Sequence, residues 1–80
     1  MDDWLQQLAT ALGVEPVDEG QITEILDAAR DIAHNVERKV TPVGTFLLGA
    51  AVQRRIGFGT AATDALQDAL VDLRAALPPS

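Results

Sequence analysis

The sequence predicts an all-α fold, a compact four-helix bundle-like domain with a central apolar third helix. Three observations predict it. Apolar residues recur at helical spacing in four stretches, no useful run of β-branched alternation occurs, and segment 41–56 is apolar on almost every side. Eighty residues make one domain, 1–80, near the small end of what folds unaided, so every apolar helix face is needed for stability.

The first helix is expected over about 2–12, where Trp4, Leu5, Leu8, Ala11 and Leu12 share one face and Gly13 supplies a stop. Trp4 reads as a core anchor, although a helix at this end could also carry an interface aromatic. Residues 14–20, with Pro16, read as a loop. The second helix is expected over about 21–39, with Ile22, Ile25, Leu26, Ala29, Ile32, Ala33 and Val36 as its apolar stripe. Asp18 and Glu19 favour its start, and Arg38 and Lys39 its end, through the helix dipole.

The third helix, about 42–56, opens with Thr41 able to cap and Pro42 at the first helical position. Its face through Val43, Phe46, Leu47, Ala50 and Ala51 is expected to serve the core. The opposite face, Thr45, Gly49, Val52 and Ile56, is apolar enough to need cover. Either a central position makes both faces internal, or this face is an interface where Gly49 admits a closely packed helix. Gly57-Phe58-Gly59 reads as a turn, and Thr60 or Thr63 can cap a fourth helix over about 61–77. That helix carries Ala62, Leu66, Ala69, Leu70, Leu73 and Leu77 on one face, and Pro78-Pro79-Ser80 ends it. Short connections between the last three helices favour antiparallel neighbours.

Composition excludes more than it names. A net charge of −6 argues against nucleic-acid and anionic-membrane binding. No cysteine is present, and His34 is the single histidine, so thiolate chemistry and His-rich metal sites are excluded, and no cofactor is expected. The longest apolar run, Val43 to Val52, is ten residues, whereas a membrane span needs about twenty. The start Met-Asp-Asp-Trp is acidic where a signal peptide is basic, so a cytoplasmic protein is expected. Gly44 to Gly49 has phosphate-loop glycine spacing, but Ala50-Ala51 stand where Lys-Ser/Thr is required. With no advertised nucleophile, oxyanion site or perturbed acid pair, an enzyme is not expected.

The best candidate site is the corner between the second and third helices. His34 and Arg38 lie one turn apart, Lys39 follows, and Glu37 and Arg30 flank the stripe. Exposed amides near Thr41 would add to a positive corner suited to a carboxylate or phosphate. The same groups also serve as ordinary dipole complements that fix the interhelix turn. Asp64, Asp68 and Asp72, spaced by four, read as a solvated face, with a docking edge for a basic partner or a weak cation site as the alternative.

The strings Ala29-Arg30-Asp31-Ile32-Ala33-His34-Asn35-Val36-Glu37-Arg38 and Thr41-Pro42-Val43-Gly44-Thr45-Phe46-Leu47-Leu48-Gly49, with Asp3-Trp4-Leu5, carry a resemblance. Over about Asp3 to Leu73 the chain resembles a small bacterial helical domain family of unknown function. Its members stand alone or are fused behind nucleotidyltransferase domains that resemble the molybdenum cofactor guanylyltransferase. Val43 replaces the family's leucine and Gly44 its usual threonine, and neither departure threatens the fold. The resemblance implies an accessory role near molybdenum cofactor biosynthesis and transfers no catalytic residue. The expected function is therefore a non-catalytic helical interaction domain partnered by a nucleotidyltransferase. The alternatives are a module binding phosphate, pterin or nucleotide at His34, Arg38 and Lys39, or a homodimerisation domain.

Overall fold

Capping chemistry sets where the helices begin and end. α1 (Asp2–Leu12) stops at Gly13, whose φ of +70° suits a residue without a Cβ. The amides of Gly13 and Val14 donate back to the carbonyls of Thr10 and Ala9, the paired bonds of a Schellman motif. α2 (Glu19–Asn35) starts at a capping box. Asp18 accepts from the Gln21 amide at 2.8 Å, and the Gln21 side chain accepts from the Asp18 amide at 2.9 Å. α3 (Thr41–Gly57) repeats the Schellman ending, with Gly59 at φ +99° and the amides of Gly59 and Thr60 returning to Ile56 and Arg55. α4 (Ala62–Ala76) completes the chain.

The computed structural model describes residues 2–79, with side chains from Asp3; Met1 of the acidic start and Ser80 of the closing Pro-Pro-Ser lie outside the described residues. The all-α, four-helix expectation is met, and three boundary details differ. α2 ends at Asn35 rather than 39, and residues Arg38–Val40 form a separate 3-10 turn. Pro42 has no amide to donate into a continuous helix, where it would cost about 3 kcal/mol, so the ladder breaks upstream. Glu37, extended at φ −167°, makes the break. Thr41 lies inside α3 instead of capping it, and its hydroxyl donates to the Glu37 carbonyl at 3.5 Å. α4 takes Ala61 as its N-cap, so neither Thr60 nor Thr63 caps it.

The core comes from three helices. Ala28 of α2, Leu48 of α3, and Leu66, Ala69 and Leu70 of α4 form a buried cluster, with Ile25, Ala51, Val52 and Leu73 packed against it. α3 lies between α2 and α4 and packs on both. Gly44 lets α2 approach, since a Cβ there would sit 2.8 Å from the Ile32 Cδ1. An added Cβ at Gly49 would meet nothing within 4 Å in this chain. Among the described residues, no Cα of α1 comes within 8 Å of a Cα in another helix. The molecule is a slab, 36 × 30 × 19 Å, with α1 set to one side of the three-helix core.

Candidate functional site

The basic corner forms, and of its three basic side chains only Lys39 has an ion-pair partner among the described residues. Lys39 Nζ lies 3.8 Å from the Glu37 carboxylate, and His34 and Arg38 are exposed. The amide expected to be free near Thr41 donates to the Arg38 carbonyl, and Pro42 has none. The 3-10 turn thus runs straight into α3 and uses the donors that an anion would need. Arg30 pairs with Asp27 of its own helix at 3.6 Å. Of the acidic run on α4, Asp72 bonds to Arg55 of α3, while Asp64 and Asp68 are exposed. Arg74 reaches Asp31 at 3.5 Å, and Gln67 bonds to Glu24, so both tie α4 to α2. These exposed contacts stabilise modestly, by about 0.2–1 kcal/mol for an ion pair. Among the described residues, no three His, Asp or Glu side chains gather as a metal-binding group, and no helix is long and apolar enough to cross a membrane.

Neither face of α3 is wholly internal. Val43, Phe46, Leu47 and Ala50, expected inside, are exposed, and only Leu48 of this helix is buried, with Ala51 and Val52 half-buried. Thr45, Gly49, Val52 and Ile56, the candidate interface, instead line a cleft of about 750 Å³ closed on its far side by Val14, Pro16 and Val17 of the same chain. Gly44 and Ala51 face the neighbouring helices, and at Gly44 the absent side chain is what admits Ile32 of α2. On its other flank, α3 and the end of α4 frame a second groove of about 550 Å³. Its walls include Val36, Val43, Leu47, Leu48, Leu73 and Leu77.

The open apolar surface is the feature the sequence reading missed. All three aromatic residues lie mostly in solvent: Trp4 is 60% exposed, Phe46 74% and Phe58 79%. Arg54 sits over the Phe58 ring at 5.8 Å, a contact that covers one of them in part. Leu12, Val36, Val43 and Leu47 are also more than half exposed. The chain exposes 5835 Å², whereas a compact monomer of 8.5 kDa exposes about 4,700 Å². The difference, about 1,200 Å² of polar and apolar surface together, reflects a thin slab with two open grooves. A helix apolar on every side was the available signal, because three neighbours in a slab cannot cover all of it.

Charge is segregated as well. Segment 38–63 holds Arg38, Lys39, Arg54 and Arg55 and no acid, while the twelve acids all lie outside it. The exposed stripe of α3 is thus free of acids and bounded by bases, Arg38 and Lys39 in the turn before it and Arg54 near its end, within a chain of net charge −6.

No curated protein and no solved structure matches the chain. A family model does, described as Domain of unknown function (DUF6457), over residues 1–78. With nearly the full length matched, the chain belongs to that family of helical domains of unknown function.

Proposed function

We propose that this domain is a non-catalytic interaction module that works by docking to another protein through the apolar surface its own fold leaves open. The observation that carries this reading is the exposed apolar stripe of α3, where Val43, Phe46 and Leu47 are each 60% exposed or more. Phe46 lies within it, and aromatic anchors are the side chains that dominate binding energy when they enter a partner's pocket. The partner class we propose is a nucleotidyltransferase of molybdenum cofactor assembly. That assignment is supported by the resemblance of the Ala33-His34-Asn35-Val36-Glu37-Arg38 and Thr45-Phe46-Leu47-Leu48-Gly49 strings to domains fused behind such enzymes.

The test is capture of native lysate proteins by the tagged domain, with identification by mass spectrometry, alongside the Phe46→Glu variant. Recovery of a nucleotidyltransferase by the natural sequence, reduced at least tenfold by Phe46→Glu, is the expected result. Equal recovery by both chains would remove the docking surface, and absence of any nucleotidyltransferase would remove the partner.

A further inference from the structure

We infer that the chain is completed by a second copy of itself, with α1 of each copy lying along the exposed flank of α3 in the other. The inference deepens the docking reading above and rests on it, adding the identity of one occupant. Both halves of the contact are present on this chain and neither is satisfied within it.

α1 carries Trp4, Leu5, Leu8 and Leu12 as a continuous stripe, of which Trp4 and Leu12 are exposed and Leu5 and Leu8 only half-buried. The stripe spans eight residues, about 12 Å along a helix axis. Val43, Phe46, Leu47 and Ala50 make an exposed i, i+3, i+4, i+7 stripe on α3 that spans seven, or about 10 Å. The lengths match, and the groove beside Leu47 offers about 550 Å³ for the side chains of an incoming helix.

Charge matches too. α1 contains Asp2 and Asp3 and no base, while the segment 38–63 that carries α3 contains four bases and no acid. Lys39 faces Glu37 and Arg55 binds Asp72, which leaves Arg38 and Arg54 at the two ends of α3 for an incoming acid. Elsewhere the surface is acidic, so copies with a net charge of −6 each meet favourably only where an acidic element faces this segment.

A chain cannot make this contact with itself as folded here. Residues 13–17, which follow α1, line the cleft of Thr45, Gly49 and Val52 on one flank of α3, and no Cα of α1 comes within 8 Å of a Cα in α3. The groove of Val43, Leu47 and Leu73 opens on the other flank. A reciprocal exchange about a two-fold axis satisfies both copies at once.

Sedimentation equilibrium of the full chain from 1 to 200 μM, with Trp4 emission recorded on the same samples, tests the pairing. The expected result is a dimer, with Trp4 emission moving to the blue over the concentration range in which the dimer forms. Leu47→Glu and Leu12→Glu, on opposite sides of the contact, should each weaken association at least a hundredfold while the helical circular dichroism is retained. If one variant fails to fold, the other still decides. A monomer throughout the range overturns the inference, as does a dimer that leaves Trp4 emission unchanged or survives both substitutions. A monomer that still captures the nucleotidyltransferase refutes self-association alone. Leu12→Glu uncovers the α3 stripe without altering it, so a dimer whose monomeric Leu12→Glu variant captures none refutes the proposed partner alone.

Discussion

Leu70 is the side chain on which the three-helix core can be tested most directly. It is 1% exposed, the largest fully buried side chain, and its neighbours in the cluster include Ala28 and Ala69. Alanines have no side-chain length with which to fill a void, so Leu70→Ala should leave most of its cavity open. Buried leucines truncated in this way cost about 2.7–5 kcal/mol, rising with residual cavity volume. An 80-residue domain is stable by only about 4–12 kcal/mol in total. A loss of about 3–4 kcal/mol should therefore lower the melting temperature by roughly 12–30 °C. In urea, with a slope near 1 kcal/mol/M, the midpoint should fall by about 3 M or the variant should be unfolded from the start. Leu26→Ala is the matched control. Leu26 sits in the periodic stripe of the second helix that the sequence assigns to the core, yet it is 54% exposed. It should cost about 1 kcal/mol or less, since only part of its transfer free energy is at stake. Both melts are followed by circular dichroism at one protein concentration. Equal losses for the two, or a larger one for Leu26, would show that α2 is rotated from the orientation described here.

Three further outcomes follow from local geometry. Asp18→Ala removes one side of the capping box and should cost about 1 kcal/mol, seen as a fall of roughly 4–8 °C in melting temperature; no change would mean that α2 does not begin there. Gly49→Ala should stabilise by about 0.5–1 kcal/mol in a urea melt, because the added Cβ meets nothing within 4 Å in mid-helix, and a destabilisation would reveal a close neighbour at that site. Amides of α1 should exchange with solvent faster than those of α2 and α4 in dilute samples, since an 11-residue helix without close helical neighbours is marginal, and equal protection would place α1 in the core.

Much of the fold is legible in the sequence because its punctuation is chemical. Gly13 and the Gly57-Phe58-Gly59 turn end helices as they should, Asp18 and Gln21 start one, and Leu66, Ala69 and Leu70 are the buried face of α4 that periodicity selects. The orientation of α3 is not legible, since a pattern with apolar residues on every side has no preferred face to read. Ala28 and Ala65, both fully buried, were passed over for a related reason: a methyl group contributes little to a periodic signal yet allows the closest helix approach. The early end of α2 was hidden because Glu37, Arg38 and Lys39 suit a helix by themselves, and it is Pro42, several residues on, that rules out continuity. The corner residues do lie together as spacing implies, but the pairing of Lys39 with Glu37 and the donation of the Thr41 amide depend on the break, which spacing alone does not show.

The distribution of large and small side chains ties folding to association. The fully buried positions are dominated by alanine, with Leu70 the one large residue among them, while the aromatics and several leucines and valines lie outside. That is the reverse of what a self-sufficient domain of this size needs, because aromatics give the largest stabilisation per residue when buried. The small core explains how three helices come close enough to hold a slab 19 Å thick, and the large residues outside then require cover from elsewhere. Cover from another protein stabilises the folded chain by mass action, since the unfolded chain does not present the stripe of α3 or the groove beside it. The effect should be greatest for α1, which has the least support from its own chain, so order in that helix and occupancy of the α3 flank rise together with partner concentration.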